Sequence, residues 1–153
     1  MKIDVTGAQQ AKAAIEAQAK KMFGGNMYAL VGYGQGTGNG GLVERAFYNQ
    51  FGTGRRHRPF LDKGVELVQD QWLATGEKGL AKLANNKGTM DETLTLMAQI
   101  AVAGVQTYIT ELKQPANLES TVRRKGSSNP LIDTGQMHQQ VSFELTNEQP
   151  EEM

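Results

Sequence analysis

Cysteine is absent from the chain, which removes a disulfide framework, a thiolate zinc site and a cysteine nucleophile together. No apolar run approaches the roughly 20 residues needed to span a bilayer as a helix. The N-terminus, Met1, Lys2, Ile3 and Asp4, lacks the basic-then-apolar form of a signal peptide. A protein made and used without export is the expectation. Charge of either sign is also missing in excess: charged residues make up 21% and balance to a formal net charge of zero. The global field therefore selects neither nucleic acid nor an anionic membrane as the main partner, and any electrostatic partner must be read locally. What is present is 153 residues, the size of one ordinary domain, with 18 glycines among them.

Thr6 and Gln9 have the spacing of a capping box, and Ala8, Ala11, Ile15, Ala19 and Met22 recur at intervals of three and four, which predicts an amphipathic helix ending near Gly24 and Gly25. Residues 27–33 read as a strand with little alternation, as expected of a strand covered on both faces. Residues 42–49 are a second strand candidate that could pair with it as a long hairpin. Pro59 then suits a first helical turn, and Leu61, Val65, Val68 and Trp72 give one apolar face, with an end or kink expected near Gly76. Thr89 and Glu92 form another capping-box pair ahead of a long periodic stripe from Leu94 to Leu112 that Pro115 closes. Val141, Phe143 and Leu145 alternate with polar residues in a closing strand.

These elements predict an α+β domain: a small antiparallel sheet of three to four strands packed with about three helices, one of them long. One domain would cover residues 1–147, with mobile loops at 34–41 and 115–130, and residues 148–153 form an acidic tail. The second loop reads as an irregular arm, because Leu118 and Val122 are its main apolar residues.

Candidate chemistry is sparse. Residues 32–41 hold six glycines, and Gly36, Gly38 and Gly41 satisfy the G-x-G-x-x-G spacing with which a backbone approaches a pyrophosphate. A dinucleotide site also needs a helix starting at the last glycine and a second mononucleotide half; the β-branched and aromatic residues that follow argue against the first, and the chain has no room for the second. Asp62 stands where a ribose-binding acid would, but an acid in a first helical turn complements the helix dipole in any case. His57 and His138 have no patterned acidic partners, and Ser127 and Ser128 lack the nucleophile elbow. No enzyme constellation, cofactor site or metal site is expected. Two basic clusters remain, Arg55, Arg56 and Arg58 around His57, and Arg123, Arg124 and Lys125. Arginine forks in Gly- or Ser-rich loops suit interfaces and phosphate contacts. After Lys125 the chain carries Asp133, Glu144, Glu148, Glu151 and Glu152 and no lysine or arginine, a complementary charge for the basic arm of a neighbouring copy.

Two stretches look familiar together. Tyr48-Asn49-Gln50-Phe51-Gly52-Thr53 precedes Arg58-Pro59-Phe60-Leu61, and Thr121-Val122-Arg123-Arg124-Lys125-Gly126 leads to Pro130-Leu131-Ile132-Asp133-Thr134-Gly135-Gln136-Met137. In order and separation they resemble the neck and tail-completion family of long-tailed bacteriophages, over roughly residues 28 to 145. One departure lies in the closing strand, where Gln140 and Val141 replace a frequent serine and isoleucine. The resemblance implies a non-enzymatic virion protein of the head–tail junction, forming a homo-oligomeric ring that meets the connector and the tail terminator or tail tube, with DNA passing through its lumen, after assembly in the host cytoplasm. It brings no catalytic residues. The alternative is a nucleic-acid-binding protein using the two basic clusters. Pro59 would preset the helix, Phe60 and Leu61 anchor it, Phe51 and Gly52 shape the turn before it, Pro130, Leu131 and Ile132 form an apolar plug, and Asp133 with Gln136 would cap a short turn through Thr134 and Gly135.

Overall fold

A computed structural model of the chain describes residues 27–34, 40–52 and 57–149, together with Lys12, Ala13, Glu16, Ala17, Ala19 and Lys20. Those six early residues are helical, as the N-terminal periodicity predicts, while the Thr6 capping box lies outside the described residues. Strand β1 (Tyr28–Gly32) is followed by helices α1 (Gly40–Phe51), α2 (Phe60–Leu67), α3 (Gln69–Ala84) and α4 (Met90–Glu111). Then come α5 (Glu119–Lys125), α6 (Gln136–Gln139) and strand β2 (Ser142–Thr146). The class is α+β, but with two strands among the described residues instead of three to four, and six helices instead of three.

Helix α4 organises the rest. Thr89 accepts a hydrogen bond from the Glu92 N–H at 3.2 Å and Glu92 returns one from the Thr89 N–H at 3.1 Å, so the capping box read from the sequence is formed. Its 22 residues span about 33 Å. Ala98, Ala101, Gly104, Val105 and Ile109 make its buried stripe, against which α2, α3, both strands and α6 pack. Thr89→Ala removes the hydroxyl that accepts from the Glu92 N–H and keeps the backbone donor to Glu92, and urea unfolding should show a loss of about 1 kcal/mol with an unchanged slope. An unchanged midpoint would mean that the first turn of α4 contributes nothing to the folded state.

The first and last strands close the domain, antiparallel, with Tyr28 opposite Thr146 and Gly32 opposite Ser142. The expectation of a β1 covered on both faces is corrected: no residue of β1 is buried and Leu30 is exposed. The hairpin partner expected at residues 42–49 is instead α1. Leu42, Ala46, Asn49 and Gln50 are buried at spacings of four, three and one, a helical face on which two of the four members are polar. Gly52 ends that helix at φ +70°, its N–H donating to Tyr48 O at 3.0 Å.

Gly76 neither ends nor kinks its helix. The chain turns at Val68 between α2 and α3, and Gly76 is buried inside α3 against the Met97 thioether. Residues 115–130 are not an irregular arm, since α5 occupies their middle and ends at Gly126, in the left-handed region at φ +69°. Leu42, Ala46, Phe60, Val105, Ile109, Leu112, Leu131, Met137 and Val141 form one core cluster. Phe60 is fully buried there, contributing on the order of 3 kcal/mol, and Tyr33 lies against it with ring centroids 6.2 Å apart.

Candidate functional site

A polar concavity sits where α1, α5 and the segment leading into α6 meet. It is a recess of about 180 Å³. Helix α1 contributes Arg45 and Asn49, the approach to α2 contributes Arg58, α5 contributes Arg124 and Lys125, and Asp133 is the one carboxylate among the described residues that line it.

The walls are built by a relay of amides. Asn49 donates to Arg45 O at 2.7 Å and accepts from Arg58 Nη1 at 3.3 Å, while the Arg58 N–H donates to Asn49 O at 2.7 Å. Arg58 Nε and Nη2 both donate to Pro115 O, at 3.2 and 3.0 Å, and Nη2 also donates to Asn117 Oδ1 at 3.2 Å. Asn117 in turn donates to Asn129 O at 3.3 Å. Asn129 donates to Ile109 O and Thr110 O, both at 2.9 Å, and accepts from the N–H groups of Leu131 and Ile132. A buried polar group is tolerated only when so satisfied, and Arg58, at 9% exposure, meets that condition through Asn49, Pro115 and Asn117.

Around this frame the cations converge. Arg45 donates to Gly41 O at 3.0 Å and to Gln136 Oε1 at 3.1 Å, which points its guanidinium along the recess. Lys125 Nζ reaches Pro130 O at 3.5 Å. Burial pushes the Lys125 ammonium below the usual lysine range; Asp133 opposes the shift, and the guanidinium groups of Arg58, Arg124 and Arg45 add to it. Loss of hydration is the main cause of that shift, and the three guanidinium groups are a smaller one.

Of the residues singled out in the sequence, Arg58, Arg124, Lys125, Pro130, Leu131, Asp133 and Thr134 meet here. Arg123 is exposed and does not line the recess. Arg55, Arg56 and glycine-loop residues 35–39 lie outside the described residues, as do residues 150–153 of the acidic tail. Phe51 is half-exposed at the end of α1, whereas Phe60, Pro130 and Leu131 are buried. Leu61 is partly buried, and its N–H donates to Gln50 Oε1 at 3.0 Å while Gln50 Nε2 donates to Asp62 at 2.7 Å, so Gln50 staples α1 to the first turn of α2. Pro59 occupies the N-cap of α2. Asp133 does not cap α6, as expected from its spacing to Gln136; Gly135 takes the N-cap at φ +78° with no side-chain cap, leaving Asp133 and Thr134 exposed at the recess. Arg45 and Asn49 are the members that sequence reasoning missed, because they fall in the stretch read as a strand.

No protein-family model, no curated protein and no solved structure matches this chain. The glycine loop needs one correction as well: a helix does begin at Gly40, directly after the strand and loop. Among the described residues β1 pairs antiparallel with the last strand, and no parallel strand follows α1.

Proposed function

We propose that the chain is a structural subunit of a tailed-phage head–tail junction, assembling into a ring that joins the connector to the tail. The observation that carries this reading is the joining of the two phage-like stretches by one continuous run of hydrogen bonds, from Asn49 through Arg58, Asn117 and Asn129 to Leu131. Asn49 and Arg58 come from the first stretch and Leu131 from the second, and Asn117 and Asn129, which belong to neither, link them. Further support comes from α1, where Val43, Phe47 and Phe51 follow one another at four-residue spacing and remain 42%, 46% and 49% exposed. The Phe47 and Phe51 rings lie 4.8 Å apart, an apolar strip of the kind buried at protein interfaces.

Negative-stain images of the purified chain should show closed rings. Replacing Phe47 and Phe51 together by serine should abolish the rings while moving the thermal midpoint by less than about 3 °C, because both rings are half-exposed on the subunit. A phage lacking the gene should accumulate full heads and unattached tails. A chain that never forms rings but binds duplex DNA, with affinity falling steeply as salt rises, would support the nucleic-acid reading and sink this one.

A further inference from the structure

We infer that the basic recess receives a carboxylate from the acidic C-terminal stretch of a second copy of the chain, making the contact between neighbouring subunits head-to-tail. The inference rests on the ring reading, and it assigns to the recess a ligand class and a donor. Among the described residues, four cationic side chains face it against the single carboxylate of Asp133. They are graded in depth: Arg58 is buried, Arg45 and Lys125 are half-buried and Arg124 is exposed at the rim. The fork of Arg58 is engaged by Asn49, Asn117 and Pro115, so it acts on an occupant by its charge, whereas Arg124 stands where it can close onto a carboxylate with two parallel hydrogen bonds.

The shape selects among anions. Cations disposed around a recess of about 180 Å³ suit one oxyanion on a slender stem, while duplex DNA needs charges spread along a ridge or groove that its two backbones can follow. The chain itself supplies such stems: after Lys125 it carries, besides the Asp133 of the recess, Glu144, Glu148, Glu151 and Glu152 and no lysine or arginine. Glu144 and Glu148 are exposed on and just beyond β2. Donor and acceptor are then different surfaces of one chain, a heterologous contact that propagates from copy to copy until rotation closes a ring. Complementary potentials of this kind fix register and partner more than they add affinity.

The experiment is sedimentation velocity on the full chain and two variants. One, Arg124→Glu with Lys125→Gln, loses the receiving surface. The other, Glu144→Gln with Glu148→Gln, Glu151→Gln and Glu152→Gln, loses the donating one. Each alone should associate at least about tenfold more weakly than the parent, whose own association should weaken between about 50 mM and about 500 mM salt. Mixed in equal amounts the two should form a one-to-one dimer that grows no further, since only one complementary contact survives. Circular dichroism checks the fold, and Arg124→Glu alone, at an exposed position, replaces the double variant if Lys125→Gln disturbs it. Variants that assemble like the parent overturn the inference and leave the ring reading standing. So does a mixture that stays monomeric, or a recess that binds inorganic phosphate while the donor variant still assembles normally. A parent that is monomeric at every concentration overturns both.

Discussion

Gly64→Ala should cost the domain about 3 kcal/mol or more and lower its thermal midpoint by about 10 °C. Gly64 of α2 and Gly104 of α4 face each other where those helices cross. A methyl group at Gly64 would collide with Val105 Cα, and would sit 2.8 Å from Val105 N and 2.9 Å from Val105 Cγ2. A methyl group at Gly104 would collide with Gly64 O and sit 2.6 Å from Val68 Cγ2. Because backbone atoms form the opposing surface, no rotamer change makes room, and the two helices must separate along the most buried part of α4. Val105 and Ile109, both fully buried, would lose contacts with α2 as they did so. Gly76→Ala is the control: its nearest neighbours are Met97 Sδ at 3.1 Å and Met97 Cε at 3.2 Å, the end of a flexible side chain that can swing aside. That substitution should change stability by less than about 1 kcal/mol, since the gain in helix propensity offsets the adjustment. Thermal and urea unfolding of both variants checks the pair. A Gly64→Ala protein within about 0.5 kcal/mol of the parent would mean that the α2–α4 crossing is looser than described.

The same glycines explain part of what the sequence does and does not reveal. Gly76 reads as a helix breaker because glycine is poor in helix interiors, yet Gly64, Gly76, Gly79 and Gly104 are all helical and buried. They are close-approach residues, and nothing local distinguishes a glycine that ends a helix from one that lets another helix in. Helix α4 was legible because its capping box and its apolar period agree over 22 residues. Strand β2 was legible from alternation, but its pairing with β1 was not, since that contact joins the two ends of the fold.

Helix α1 was misread for a different reason. Val43, Phe47 and Tyr48 favour a strand by propensity, while the buried helical face includes Asn49 and Gln50, so a hydrophobic period does not register. The strand reading also hides Arg45 and Asn49, and with them the side of the recess that α1 supplies. The segment 115–130 reads as irregular in the sequence because its apolar residues are few. What fixes it is polar: Asn117 and Asn129 tie it to Arg58 and to the last turn of α4, and a count of apolar residues is blind to such bonds.

Arg58→Ala should be nearly as damaging as the glycine change, at about 3 kcal/mol, which separates Arg58 from the two arginines beside it in sequence. Grouped with Arg55 and Arg56, it reads as a member of an exposed loop cluster whose joint replacement by alanine leaves the fold intact. Its 9% exposure and its hydrogen bonds to Asn49, Asn117 and Pro115 correct that expectation. Alanine would leave Asn49 Oδ1, Asn117 Oδ1 and Pro115 O facing a void, and desolvated acceptors that lose a charged donor cost more than the bonds themselves contribute. Arg58→Lys should recover little of the loss, because an ammonium on a linear stem cannot meet three acceptors set around a planar fork. Arg124→Ala, at an exposed position on α5, should change stability by less than about 0.5 kcal/mol. Urea unfolding of the three variants gives the order, and hydrogen exchange locates the damage. In Arg58→Ala, protection should fall first in residues 115–132, whose anchor through Asn117 to Asn129 has lost its end, while α4 keeps its protection until global unfolding. If Arg58→Ala unfolds at the same urea concentration as Arg124→Ala, the amide relay does not hold residues 48–61 and 121–137 together, and the observation on which the proposed function rests goes with it.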